Sequence, residues 1–212
     1  MKKWILGIGL GVCACVVCGL GSTELDILRE LCESGDKKAC ATLVEKGDMQ
    51  GLRKLCDEKV GVACRRVGYV FFDQHDIAQA KIWFEKGCGL NDMLSCGMLG
   101  TLFLDENDKQ AFRFYDKACN GGLGLGCFQV GVALYFGKMG VAKDLVKAKS
   151  YYRKGCELNY AAACFNLGFM YANGESVAKN ETKALDLYEK ACKLGERQGC
   201  EAALFLNGVL VE

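Results

Sequence analysis

The chain has 212 residues, 51% of them hydrophobic and 25% charged, with 27 basic against 26 acidic side chains, 15 cysteines, one histidine and no proline. That apolar content excludes a solvating disordered chain and supplies the core of about one domain. Near-neutral charge argues against nucleic acid or an anionic membrane surface as the main partner, since both demand a basic excess, and a lone His75 excludes any site built on two histidines.

Lys2 and Lys3 precede an apolar run from Trp4 to Leu20, after which small residues lead to the acidic Glu24. A basic start, an apolar centre and a small-residue exit predict a secretory signal peptide over residues 1–21, with 22–212 as the mature chain. The run is short, and broken by glycines, for a retained membrane span. Val12-Cys13-Ala14-Cys15 loosely resembles a lipobox, which leaves a lipoprotein anchored through Cys15 as an alternative. The expected location is therefore secreted or periplasmic, with membrane contact only through lipidation or a retained signal. Either way the chain would work where disulfides persist.

The mature cysteines fall into six pairs, Cys32/Cys40, Cys56/Cys64, Cys88/Cys96, Cys119/Cys127, Cys156/Cys164 and Cys192/Cys200, each eight apart. First members follow one another at 24, 32, 31, 37 and 36 residues, and second members repeat those intervals, so one unit has been reiterated. Ala80, Ala111, Ala148 and Ala184 stand eight before a first cysteine, and Phe84, Tyr115, Tyr152 and Tyr188 four before it. Residues four apart share one helix face. Lys86, Lys117, Lys154 and Lys190 fall in the last turn, where a cation complements a helix C-terminus. Asp76, Asp144, Asn180 and Asp108 are N-cap types at the expected helix starts.

Three residues past the first cysteine come Gly35, Asn91, Gly122, Asn159 and Gly195, residues that accept the left-handed conformation ending a helix. The second pair has Lys59 there, so a different turn is expected. The next helix should open at the second cysteine, with Gly68, Gly100, Gly131 and Gly168 four residues on. A mid-helix glycine costs about 1 kcal/mol, and close helix approach is its expected use.

In one continuous helix, residues eight apart lie roughly 12 Å apart along the axis, beyond the about 4.4–6.8 Å that a disulfide spans between Cα atoms. A helix, a turn and an antiparallel helix bring them together. Each pair then staples an αα-hairpin and contributes roughly 2–3 kcal/mol by loop closure. The spacing matches no familiar zinc motif, and neither a metal nor a cofactor is expected. The predicted fold is all-α, a hairpin solenoid with one disulfide per hairpin.

Residues 164 to 192 carry Cys164-Phe165-Asn166-Leu167-Gly168, Tyr171, Asn173-Gly174, Val177, Lys183-Ala184, Tyr188 and Lys190-Ala191-Cys192. This pattern resembles the SEL-one-like repeat, a relative of the tetratricopeptide repeat. With cysteines eight apart in every unit, the chain is similar to the Helicobacter cysteine-rich proteins. The resemblance spans nearly all of residues 25–205, as about six short units with a C-terminal capping helix. The first three units are shorter, lacking most of the Gly-x-x-Val loop. The resemblance implies an extracytoplasmic, penicillin-binding protein, with β-lactamase activity as an alternative function and peptides, proteins or peptidoglycan fragments as partners.

Ser34-Gly35-Asp36-Lys37 and Ser176-Val177-Ala178-Lys179 match the Ser-x-x-Lys element of serine penicillin hydrolases, but the other two elements of that machinery do not occur. Repeat architecture explains both matches, and no catalytic residue is assigned. Instead, tetratricopeptide-like arrays line a concave face with the first helix of each unit. The residue two after the second cysteine should look outward there: Thr42, Arg66, Met98, Gln129 and Asn166. Gln129 and Asn166 can hydrogen-bond an extended peptide and Arg66 a carboxylate. The expected protein is thus a monomeric exported scaffold.

Overall fold

The structure, a computed structural model, describes residues 23–34, 36–104 and 107–208, without the side chains of 33, 37, 40, 41 and 44. The signal-peptide and lipidation expectations, the Gly35 turn and the side chain of Cys40 lie outside the described residues. Among the described residues there are twelve helices and no strand: α1 (Glu24–Glu33), α2 (Lys37–Glu45), α3 (Met49–Asp57), α4 (Gly61–Asp73), α5 (Ile77–Gly89), α6 (Met93–Phe103), α7 (Asp108–Asn120), α8 (Gly124–Phe136), α9 (Leu145–Glu157), α10 (Ala161–Asn173), α11 (Glu181–Lys193) and α12 (Arg197–Leu206). Each helix packs chiefly on its neighbours in sequence, which is the organisation of an all-α solenoid.

Odd-numbered helices carry the first cysteine of each pair and even-numbered helices the second. Five disulfides join Cys56–Cys64, Cys88–Cys96, Cys119–Cys127, Cys156–Cys164 and Cys192–Cys200, with Cα atoms 4.5–4.7 Å apart. Cys32 is disulfide-bonded as well. The even helices open three residues before their cysteine rather than at it, because the backbone of Val60, Leu123 and Tyr160 is already the N-cap. That earlier start leaves a tight link in which residue +3 after the first cysteine takes φ of 58–93° at Asn91, Gly122, Asn159 and Gly195. Lys59 takes the same conformation, with φ 70°. The second hairpin therefore turns like the others, and the expected departure is a local strain instead of a new geometry.

Asp76, Asp144 and Asn180 cap α5, α9 and α11 through their side chains. For α7 the cap is Asn107, with Asp108 the first helical residue, so the twelve-residue interval from cap to cysteine is kept in this unit too.

The repeated glycines set how closely the helices approach. A Cβ built on Gly68 would meet the Phe84 ring at 2.7 Å, on Gly100 the Tyr115 ring at 2.7 Å, on Gly131 the Tyr152 ring at 2.6 Å and on Gly168 the Tyr188 ring at 2.9 Å. The ring four residues before each first cysteine thus lies on the bare backbone of the preceding helix, fully buried at Phe84, Tyr115 and Tyr152. The repeated lysines do not cap their own helices. Lys117 Nζ donates to the Cys88 carbonyl at 2.9 Å and Lys190 Nζ to the Cys156 carbonyl at 2.8 Å. Lys154 Nζ donates to Asn120 Oδ1 at 2.9 Å, and Lys86 Nζ lies 3.6 Å from Asp57 Oδ1. Each lysine reaches the C-terminal end of the preceding odd helix, so the cation complements a neighbour's dipole and ties consecutive layers together.

Connections between paired helices differ along the chain. Residues 74–76 join α4 to α5 and 104–107 join α6 to α7, whereas 137–144 and 174–180 form longer loops in the last two units. Gly137 and Gly174 end α8 and α10 in the left-handed region, at φ 69° and 71°, and release the chain into those loops.

Candidate functional site

The even helices present one face at positions one, two, five, eight and nine after the second cysteine. On α10 these are Phe165, Asn166, Phe169, Ala172 and Asn173; on α8 the last two are Tyr135 and Phe136; on α12 the first three are Glu201, Ala202 and Phe205. Two cavities open on this face. One of about 380 Å³ is lined by Tyr135, Phe136, Tyr152, Phe165, Asn166 and Phe169. The other, of about 750 Å³, runs between α10 and α12 and shares Phe165 and Phe169 with the first. Shared walls make them one groove from α8 to α12. Phe136, Phe169 and Phe205 stand 58%, 41% and 53% exposed along it, apolar area that the described residues leave largely uncovered.

The loop after α10 reaches the groove, with Lys179 on the wall of the larger cavity. Glu175, in the loop from α10, accepts a hydrogen bond from the Tyr135 hydroxyl at 2.7 Å, and Ser176 offers its carbonyl to Lys149 Nζ at 3.0 Å. Burial, then the bond to Glu175, pushes the Tyr135 phenol up to about 12. Burial raises the Tyr152 phenol further, opposed by a hydrogen bond with Asn166. Lys179 and Glu181, paired at 2.8 Å, stand on the wall of the larger cavity.

Among the residues that the sequence singles out for binding, Asn166 lies in the groove and its side chain is half-buried against Tyr152. Gln129 and Arg66 are half-buried at the same register on α8 and α4 and line neither cavity. The guanidinium Nε of Arg66 is enclosed and bonds to no group among the described residues. The aromatic residues at positions one and five of α10, Phe165 and Phe169, share one helix face in the sequence, but only Asn166 at position two was singled out there.

In the two Ser-x-x-Lys matches, the side chain of Lys37 lies outside the described residues, and Ser34 and Lys179 are engaged elsewhere. Ser34 Oγ donates to the Leu31 carbonyl at 2.7 Å as a helix end, and Lys179 spends its ammonium on Glu181. His75 sits exposed at φ 62° in the turn before Asp76, an ordinary place for a left-handed polar residue.

Four Sel1 repeats match residues 61–92, 95–123, 124–160 and 161–196, well over half of the chain. The chain belongs to the Sel1 repeat family. It is similar to cytochrome c oxidase assembly factor 7A of Xenopus laevis, 34% identical over 112 residues that make up 48% of either chain. It spans about half the length of the curated relatives that it matches. Among solved structures it is similar to Helicobacter pylori cysteine rich protein B, at 36% identity and a TM-score of 0.50 over 59% of this chain and 93% of that one. A protective antigen of uropathogenic Escherichia coli strains gives a TM-score of 0.74 at 21% identity, over 86% of this chain and 43% of that one, and so shares the fold.

The Sel1 units are α4–α5, α6–α7, α8–α9 and α10–α11. The disulfides Cys88–Cys96, Cys119–Cys127 and Cys156–Cys164 therefore cross from one unit to the next. A Sel1 array held only by packing can flex at those joints; here each is covalently fixed.

Proposed function

We propose that this Sel1 repeat protein is an exported interaction scaffold that holds an extended peptide segment, of a protein or a cell-wall fragment, in the groove carried by α8, α10 and α12. The observation that carries the reading is that groove, with Phe136, Phe169 and Phe205 exposed along it beside the amide of Asn166. Alternating side-chain pockets and a backbone-binding amide are the requirements of an extended peptide. Gln129 and Arg66 are proposed as secondary contacts for a partner that continues along α8 to α4. Five disulfides call for an oxidising compartment, which supports export through the segment 1–21. A stapled array also presents its groove without an ordering cost on binding, which favours affinity.

Selection of peptides from a random library on the disulfide-intact protein tests this directly. Selected peptides should lose most of their affinity on Phe169→Ala, a side chain exposed enough that folding is unaffected. Peptides that bind the wild type and Phe169→Ala equally would place recognition elsewhere and refute the reading.

A further inference from the structure

The smaller cavity has a chemistry that an apolar groove does not need. Tyr135, Phe136, Tyr152, Phe165 and Phe169 give it five aromatic walls. Glu175, half-buried, accepts a hydrogen bond from the hydroxyl of Tyr135, one of those walls. No lysine or arginine among the described residues pairs with that carboxylate. A carboxylate partly withdrawn from water gains from a counter-charge, and aromatic faces attract cations through their quadrupoles.

Resting on the reading of the groove as a peptide site, we propose that this cavity seats a cationic side chain, a lysine or arginine of the bound peptide, with Glu175 as its counter-charge. Two of the same rings already draw cations from the chain itself. Lys138 Nζ lies 5.4 Å from the Phe136 centroid and Lys143 Nζ 5.7 Å from that of Tyr135. Both lysines are exposed and can swing into solvent, so they mark the preference of the rings without closing the cavity. The larger cavity beside it, walled by Phe205, Ala202 and Leu206, suits the apolar neighbours of that cation. The motif read is thus a basic residue flanked on one side by apolar ones.

The test uses two probes that differ in one group: acetyl-lysine methylamide and its uncharged isostere acetyl-norleucine methylamide, titrated into the disulfide-intact protein and followed by NMR. Lysine should shift the resonances of Tyr135 and Phe169 and bind about tenfold tighter than norleucine, the discrimination expected of a partly desolvated cation–π site with a counter-ion. Glu175→Gln keeps an acceptor for Tyr135 and should bring the two probes close to parity with an unchanged melting temperature. Norleucine binding as well as lysine, lysine preference surviving Glu175→Gln, or no shift with either probe would overturn the proposal. The groove reading fails separately, when library peptides ignore Phe169→Ala.

Discussion

Replacing Gly131 by alanine adds one methyl group where the fold has no room for it. In an open helix that change is favourable by about 1 kcal/mol. Here the new Cβ would lie 2.6 Å from Cδ1 and Cε1 of Tyr152, against about 3.5 Å for an ordinary carbon–carbon contact. The obstacle is the body of a fully buried ring, so α8 and α9 must separate or the ring must tilt. Overpacking of this kind costs about 1–3 kcal/mol. The balance is a net loss of about 1 kcal/mol, or a melting temperature lower by about 2–4 °C for a chain of this size. Gly89→Ala is the control, because a Cβ there meets nothing within 4 Å; it should be neutral or stabilising by up to about 1 kcal/mol. Calorimetry under oxidising conditions reads both. Gly131→Ala melting at or above the wild type, while Gly89→Ala behaves as expected, would refute the close-approach account of the repeated glycines. Because Tyr152 also lines the smaller cavity, Gly131→Ala should weaken ligand binding beyond its effect on stability.

Lys59→Gly should raise stability by about 0.5–1 kcal/mol, seen as a higher melting point, because it relieves a left-handed residue that carries a Cβ. Burial, then hydrogen bonds to Glu175 and Asp116, pushes Tyr135 and Tyr151 up to about 12. Their folded values exceed the unfolded value of about 10, so the linked stability is intact below that pH and is lost as pH rises towards 12. Tyrosinate absorbance of the wild type against Tyr135→Phe and Tyr151→Phe should show both phenols still protonated at a pH of about 11; ionisation near 10 in the folded state would contradict the burial. Lys190→Met removes the bond to the Cys156 carbonyl and should cost about 1 kcal/mol, read by denaturant titration. A chromogenic cephalosporin should show no turnover above an inactive control, since the Ser34 and Lys179 side chains are engaged elsewhere; saturable hydrolysis would contradict that.

Much of the scaffold was legible because the cysteine interval, the Ala-aromatic-Cys stripe and the left-handed residues are local features that a helix hairpin needs whatever surrounds it. Asn107 was passed over for Asp108 because both are good caps, and only the twelve-residue count separates them. Lys59 was misread because a lysine can be held in the left-handed conformation that glycine and asparagine take elsewhere, and its side chain gives no sign of it. The lysine of each unit was assigned to its own helix end, yet its length carries it across the joint to the neighbouring layer. The groove was read one position too narrowly. Asn166 was singled out by its register two residues after the second cysteine, whereas Phe165 entered only as part of the repeat motif and Phe169 was not singled out at all. Whether a phenylalanine on a repeat faces the next layer or the open groove depends on the stacking of α8, α10 and α12, a long-range property. Glu175 lay in a loop, and its approach to Tyr135, forty residues away in sequence, had no local trace.

The most direct measurement of the central claim is an NMR map of a selected peptide on the isotope-labelled, disulfide-intact chain. The account predicts shifts concentrated on Tyr135, Asn166, Phe169 and Phe205, the residues of the α8–α12 groove. Shifts centred instead on the exposed apolar residues Val62, Leu94, Leu158 and Leu194, at the hairpin turns, would contradict it.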